Sequence, residues 1–254
     1  MKKLSFLLSA GLFLFLGTFA HATDLQEMSA TERAAFGAEV RAYLLANPEV
    51  ILEVIDVLDT RKAERTAITD LALVQQNYDA LAHDGYSFVG GNPDGAITIV
   101  EFSDYKCGYC KRAHVEVQAL LAANDDIRLV IKEFPILGDE SMLAAQAAVS
   151  ILTKQPEYYA EFNDLLMLHN GAPNSINPVT LAEIATNIGA DAILMRDHMN
   201  DPLVQQIIAR NHALGRDMQI RGTPAFVIGS ALLRGYMPLA GMQNMVDNAR
   251  TELE

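Results

Sequence analysis

The chain has 254 residues, with 32 acidic against 19 basic side chains and a formal net charge of −13 at pH 7. So acidic a protein repels nucleic-acid phosphates, which argues against a DNA- or RNA-binding role. Its two cysteines, Cys107 and Cys110, stand three apart; a bond between them closes almost no loop and constrains the unfolded chain little. A reactive pair therefore explains them better than a structural staple.

The first residues read as a targeting signal. Lys2 and Lys3 precede an apolar run over residues 4–19, and Ala20-His21-Ala22 puts small residues where a signal peptidase reads them. The expectation is a cleaved signal peptide over 1–22 and export to a bacterial periplasm, with a retained anchor as the alternative. No cysteine sits at the cleavage site to take a lipid, and no later stretch is apolar enough to span a bilayer.

Residues 23–82 read as a helical arm. Ser29 and Glu32 have capping-box spacing, and Phe36, Val40, Tyr43 and Leu44 then share one helical face. Asn47-Pro48 restarts a helix, with Ile51, Val54, Ile55 and Leu58 as its apolar stripe. The polar stretch 61–66 breaks the pattern. Leu71, Val74, Tyr78 and Leu81 resume it at coiled-coil spacing. Stripes of this kind need covering, so the arm is expected to make a homo-oligomer, dimer or trimer. Packing on its own catalytic domain is the alternative.

Residues 83–254 read as the catalytic domain. Tyr86 to Val89 suits a short edge strand, followed by a Gly-rich loop over 90–95. Residues 97–102 form a nearly continuous apolar strand, as a central strand would. A helix runs from about Cys107 to 123, and a second strand spans 126–134. A helical insert follows over 137–217, its starts marked by Asn177-Pro178 and Asp201-Pro202. Strands over 225–228 and 231–234 and a last helix from Pro238 complete an α/β order: βαβ, insert, ββα.

The pair Cys107-Gly108-Tyr109-Cys110 thus falls in a strand-to-helix turn, where a CxxC becomes specific. Free N–H groups and the positive end of the helix dipole there favour an anion. Thiolate is the attacking species in disulfide exchange, so the site predicts a lowered pKa for Cys107. Cys110, one turn on and more buried, would resolve the mixed disulfide formed at Cys107. Haem attachment needs His after the second cysteine, and Lys111 stands there. A Zn or Cu(I) site from Cys107, Cys110 and His114 has plausible spacing. Without a second cysteine pair it is the weaker reading, and His114 is expected to be a surface helix residue.

Residues 100–110, Val-Glu-Phe-Ser-Asp-Tyr-Lys-Cys-Gly-Tyr-Cys, resemble the active-site segment of DsbA-like thioredoxin-fold thiol:disulfide oxidoreductases. Arg221-Gly222-Thr223-Pro224-Ala225-Phe226 is similar to that family's cis-proline loop. The helical extension is similar to that of the oligomeric ScsC/Com-type branch. The resemblance implies a thioredoxin fold with an inserted helical subdomain, and no cofactor. It makes Cys107 the nucleophile, Cys110 the resolving thiol, Pro224 the cis-proline and Thr223 a backbone partner for an extended substrate, beside Gly108 and Tyr109. Glu101 matches the family's buried acid and Lys132 a lysine on the next strand; the two could relay protons to Cys110, or simply form a cross-strand ion pair. The Gly-Tyr spacer and Thr before Pro equal those of the isomerase DsbC, leaning toward isomerase or reductase activity. Unfolded or misoxidised exported proteins and a membrane redox partner are the implied partners.

Overall fold

The computed structural model describes residues 28–172 and 174–253; the expected signal over 1–22 lies outside them. The chain divides into two compact units, Met1–Arg61 and Lys62–Glu254.

In the first unit, helix α1 (Ala30–Ala46) starts with the capping box that the sequence predicts. The Glu32 amide donates to the Ser29 hydroxyl at 3.3 Å, and the Glu32 carboxylate accepts from the Ser29 amide at 2.9 Å. Asn47 closes it, its Nδ2 donating to the Tyr43 carbonyl at 2.9 Å. Pro48 then precedes helix α2 (Glu49–Gln76). Every residue of α1 is at least partly exposed, and Phe36, Tyr43, Ile51, Leu52, Ile55 and Leu58 are all exposed apolar side chains. Helix α2 runs unbroken through the polar stretch 61–66, where the apolar stripe lapses. Arg, Lys, Ala and Glu dominate that stretch, and all favour helix, so loss of the apolar stripe does not end it.

The second unit begins within α2. Val74 on α2 and Leu81 on the short helix α3 (Tyr78–Ala82) are buried with Val100, Phe102, Val130 and Leu214. Asp70 accepts two hydrogen bonds from the Arg234 guanidinium, at 2.7 and 2.8 Å. The compact unit thus reaches back beyond residue 83, as far as Lys62. Val74 and Leu81, expected in a coiled-coil seam, are core residues of the catalytic unit.

Five strands form one sheet in the order β1-β3-β2-β4-β5. The edge strand β1 (Phe88–Gly91) pairs antiparallel with β3 (Ile127–Glu133), and β3 pairs parallel with β2 (Ile97–Ser103). Antiparallel β4 (Ala225–Ile228) and β5 (Ala231–Arg234) complete it. Gly90 and Gly91, expected in a loop, belong to β1. Gly91 has φ +65°, and a Cβ there would come within 2.5 Å of the Ile127 carbonyl oxygen, so close approach to β3 requires glycine.

Helix α4 (Gly108–Ala123) crosses from β2 to β3. Between β3 and β4 comes the helical insert: α5 (Asp139–Lys154), α6 (Tyr159–Leu168), α7 (Pro178–Asn187), α8 (Ala192–His198) and α9 (Pro202–Asp217). Helix α10 (Leu239–Leu253) ends the described chain. Strand alternation splits the apolar residues into two layers. Ile97, Ile99, Leu129 and Ile131 pack in the layer with α4, α5, α6 and α10, while Val100, Phe102 and Val130 face α3 and α9.

Candidate active site

β2 ends at Ser103, and the turn that follows is organised by Asp104. Its buried carboxylate accepts from the Lys106 amide (2.8 Å), the Ser141 hydroxyl (2.7 Å) and the amides of Ile136 (2.8 Å) and Leu137 (3.1 Å). This sets Cys107 as the N-cap of α4, in extended backbone conformation. A side-chain acceptor at an N-cap satisfies one of the free first-turn N–H groups. Here sulfur fills that role: the Cys110 amide donates to Cys107 Sγ at 3.2 Å.

The Thr223–Pro224 peptide is cis, and its loop lies across from the cysteines. Cys107 Sγ is 3.2 Å from the Thr223 carbonyl oxygen, which accepts from the thiol. Both cysteines are free. The Cys107 thiol is pulled down from 9.0 to about 6, first by the hydrogen bond with the Cys110 side chain, against the opposing effect of burial, and then by the Thr223 side chain and the amides of Cys110 and Tyr109. Burial drives the Cys110 thiol far upward, and its contact with Cys107 adds to this. One sulfur is thus poised as an anion and its neighbour held as a thiol. Tyr109 is exposed at the mouth of the site, its ring 6.1 Å from that of Tyr236 and under the Arg112 guanidinium at 5.5 Å.

Beneath the pair, Glu101 is 3 % exposed. Burial raises its pKa, opposed by Ser103 and by the His114 charge, while Cys107 adds to the rise. Lys132 does not join it. In the parallel register Glu101 stands beside Ile131, and Lys132 beside Phe102, so the two side chains leave opposite faces of the sheet. Lys132 Nζ pairs with the Asp84 carboxylate and donates to the Ala80 carbonyl at 2.8 Å. Neither the expected relay nor the cross-strand pair forms. His114 also departs from its expected surface position: it is 6 % exposed and its Nε2 is 3.1 Å from Asp164 Oδ1.

Glu133 is a further buried acid, missed although alternation along β3 places it on the Glu101 face. Its Oε1 accepts from the hydroxyls of Tyr105 and Tyr159, both at 2.6 Å, and Asn163 donates to Tyr105 at 3.0 Å. Burial pushes the carboxyl up to about 7. Among the described residues, no three His, Cys, Asp or Glu side chains gather to hold a metal ion.

A CxxC pair at a helix start, faced by a cis-proline loop at the end of a central strand, defines a thioredoxin-fold protein. The family model described as "Thioredoxin" matches residues 83–248, and the chain belongs to that family, among its DsbA-like thiol–disulfide oxidoreductases. A second model, "Copper resistance protein ScsC N-terminal domain", matches residues 32–65. A thioredoxin-like oxidoreductase from Silicibacter pomeroyi DSS-3 is 39% identical, with 68% of this chain and 97% of that chain covered and a TM-score of 0.64. The thiol-disulfide exchange protein alpha-DsbA2 from Wolbachia pipientis is 27% identical over 72% and 97% of the two chains, with a TM-score of 0.66. Proteus mirabilis ScsC in a transitional conformation is 26% identical over 89% and 99%, with a TM-score of 0.64. The chain spans about a quarter (24%) of the first curated relatives it matches, such as the Na(+)/H(+) antiporter NhaA 3 of Salinispora tropica, 28% identical over 163 residues.

Proposed function

We propose that this protein is a periplasmic thiol:disulfide oxidoreductase that isomerises disulfides in exported proteins. The observation that carries this reading is the asymmetry of the cysteine pair: Cys107 ionises at about 6 while Cys110 stays protonated. The Cys107 thiolate attacks a wrong disulfide in a client. The mixed disulfide then passes to another client cysteine, or Cys110 displaces it. Thr223 and Pro224 would present backbone groups to the extended client segment, with Gly108 and Tyr109 at its side. The Gly-Tyr spacer and the Thr-Pro pair support isomerisation.

The exposed apolar residues of the first unit, together with its match to an ScsC N-terminal domain, support self-association through that unit. Several active sites around one client would raise the effective concentration of thiolate. Chains starting at Lys62 should then sediment at a smaller size than the full chain.

The test of function is refolding of a scrambled multi-disulfide protein by wild type and by Cys107→Ala. Loss of rescue in the variant is expected; equal rescue would sink the proposal. A second reading, dithiol oxidase, is favoured by the low Cys107 pKa, since a stabilised thiolate makes the disulfide more oxidising. A pair held mostly oxidised in cells, by a membrane redox partner, would select it; a mostly reduced pair selects isomerase.

A further inference from the structure

Two distant parts of the chain meet beside Cys107. Tyr109, Arg112 and Glu116 stand at positions i, i+3 and i+7 of α4, on one helical face. That face meets the loop that joins β5 to α10. Gly235 ends β5 with φ +115°, a turn that a side chain would strain, and its amide donates to the Pro224 carbonyl at 2.9 Å. The loop is thereby fastened to the cis-proline. Tyr236 comes next. Its hydroxyl donates to Glu116 Oε1 at 3.0 Å, and the Leu239 amide donates to Glu116 Oε2 at 3.2 Å. Held through backbone and hydroxyl alike, the Tyr236 ring meets that of Tyr109 at 6.1 Å with an interplanar angle of 33°.

Tyr109 keeps 58 % of its surface exposed despite that contact. A ring already fixed in place offers a large contact area and loses little freedom when it is covered. There is room for a visitor: a Cβ added to Gly108, beside Cys107, or to Gly222, beside Thr223, would meet nothing within 4 Å. The charges around the rings discourage both signs. The Cys107 thiolate repels a carboxylate, and the Arg112 guanidinium, 5.5 Å from the Tyr109 ring centre, repels a cation. An uncharged side chain remains, and an aromatic one gains most, because neighbouring rings attract beyond the area they bury.

We propose that Tyr236 and Tyr109 form a specificity wall that selects clients with an aromatic residue next to the reacting cysteine, while Arg112 rejects cationic neighbours. This names the client class for the exchange chemistry proposed above and rests on it. The Cys107 thiolate attacks the client disulfide. The Cys107–client bond forms, the client S–S bond breaks, and the departing client sulfur leaves as a thiolate that takes a proton from water. The aromatic neighbour docks before this step, so the wall acts on client binding and not on the sulfur chemistry.

The test uses the full chain in its reduced form and disulfide-linked dimers of a short peptide that carries Phe, Ala or Lys beside its one cysteine. Stopped flow follows capture by Cys107 as the peptide concentration is varied. Wild type should capture the Phe peptide about three- to tenfold more efficiently than the Ala peptide, the worth of one aromatic pair. The difference should lie in the half-saturating concentration and not in the maximal rate. Tyr236→Ala should cut the Phe-to-Ala ratio to below about twofold, whereas Tyr236→Phe, which keeps the ring, should keep most of it. The ratio is read within each variant, so a general loss of activity cancels. Arg112→Gln, at an exposed position, should raise capture of the Lys peptide relative to the Ala peptide by about twofold, and it tests the wall if Tyr236→Ala fails to fold. A wild type without aromatic preference, a Phe-to-Ala ratio unchanged in Tyr236→Ala, or a Lys-to-Ala ratio unchanged in Arg112→Gln overturns the inference. A wild type that captures none of the peptides overturns the exchange chemistry itself, which separates that failure from one at the wall.

Discussion

Glu101 and Lys132 occupy neighbouring positions in the parallel register of β2 and β3 and point to opposite faces of the sheet. Lys132 is wholly buried and neutralises the nearly buried Asp84, which also accepts from the Ser87 hydroxyl at 2.7 Å. Lys132→Met would leave Asp84 as a buried charge without its cation, a change that costs about 3 kcal/mol. Chemical denaturation should show that loss, and adding Asp84→Asn should recover part of it. The alkylation profile of Cys107 should not move, because neither residue lies on the cysteine side of the sheet.

Cys107 should alkylate with a pH midpoint near 6, where its thiol ionises. Iodoacetamide rates across the acid-to-neutral range measure it. Thr223→Val removes one of the groups that lower this pKa and should shift the midpoint upward. The depressed value also stabilises the reduced protein above the unfolded thiol pKa, and that advantage is lost as pH falls through about 6. The oxidised protein has no such thiolate. The Tm of the reduced form, relative to the oxidised, should therefore fall on acidification through that window.

Glu133 gives the opposite sign. Its carboxyl is raised from 4.5 to about 7 by burial, so the folded state holds a proton that the unfolded chain releases. Its contribution is complete below the unfolded pKa and is lost as pH rises through the folded one. The loss is on the order of 3 kcal/mol at 1.36 kcal/mol per pKa unit. Denaturant midpoints should decline between about 4.5 and 7 in the wild type. Glu133→Gln, which keeps acceptor oxygen for Tyr105 and Tyr159, should flatten that decline.

Lys111, next to Cys110, donates through Nζ to the carbonyls of Leu166 (3.1 Å), Met167 (3.1 Å) and His169 (2.6 Å). It caps the C-terminal end of α6, where unpaired carbonyls and the negative end of the dipole favour a cation. Lys111→Met should destabilise the protein by roughly 1–3 kcal/mol, as expected when buried acceptors lose a charged donor. Amide exchange should quicken at the end of α6 and leave the central strands unchanged.

Much of the site could be read from the chain because it is local. The apolar run before the cysteines fixes β2, the turn fixes the helix start, and Gly229-Ser230 separates β4 from β5 where expected. The Glu101–Lys132 pairing failed because parity between two separate strands depends on register, and a slip of one residue turns a side chain to the other face. His114, expected at the surface, could have been read as buried, since it stands four residues after Cys110, one turn along the same face. The partners of Val74 and Leu81 were not, since helical spacing shows that a face needs cover but not what supplies it.

Asp104 binds the cysteine turn and the start of the helical insert with a single carboxylate. The floor under the nucleophile and the hinge of the lobe above it consequently share one rivet. Nothing can tug on the lobe at Ile136 or Ser141 without the strain arriving at the reactive sulfur.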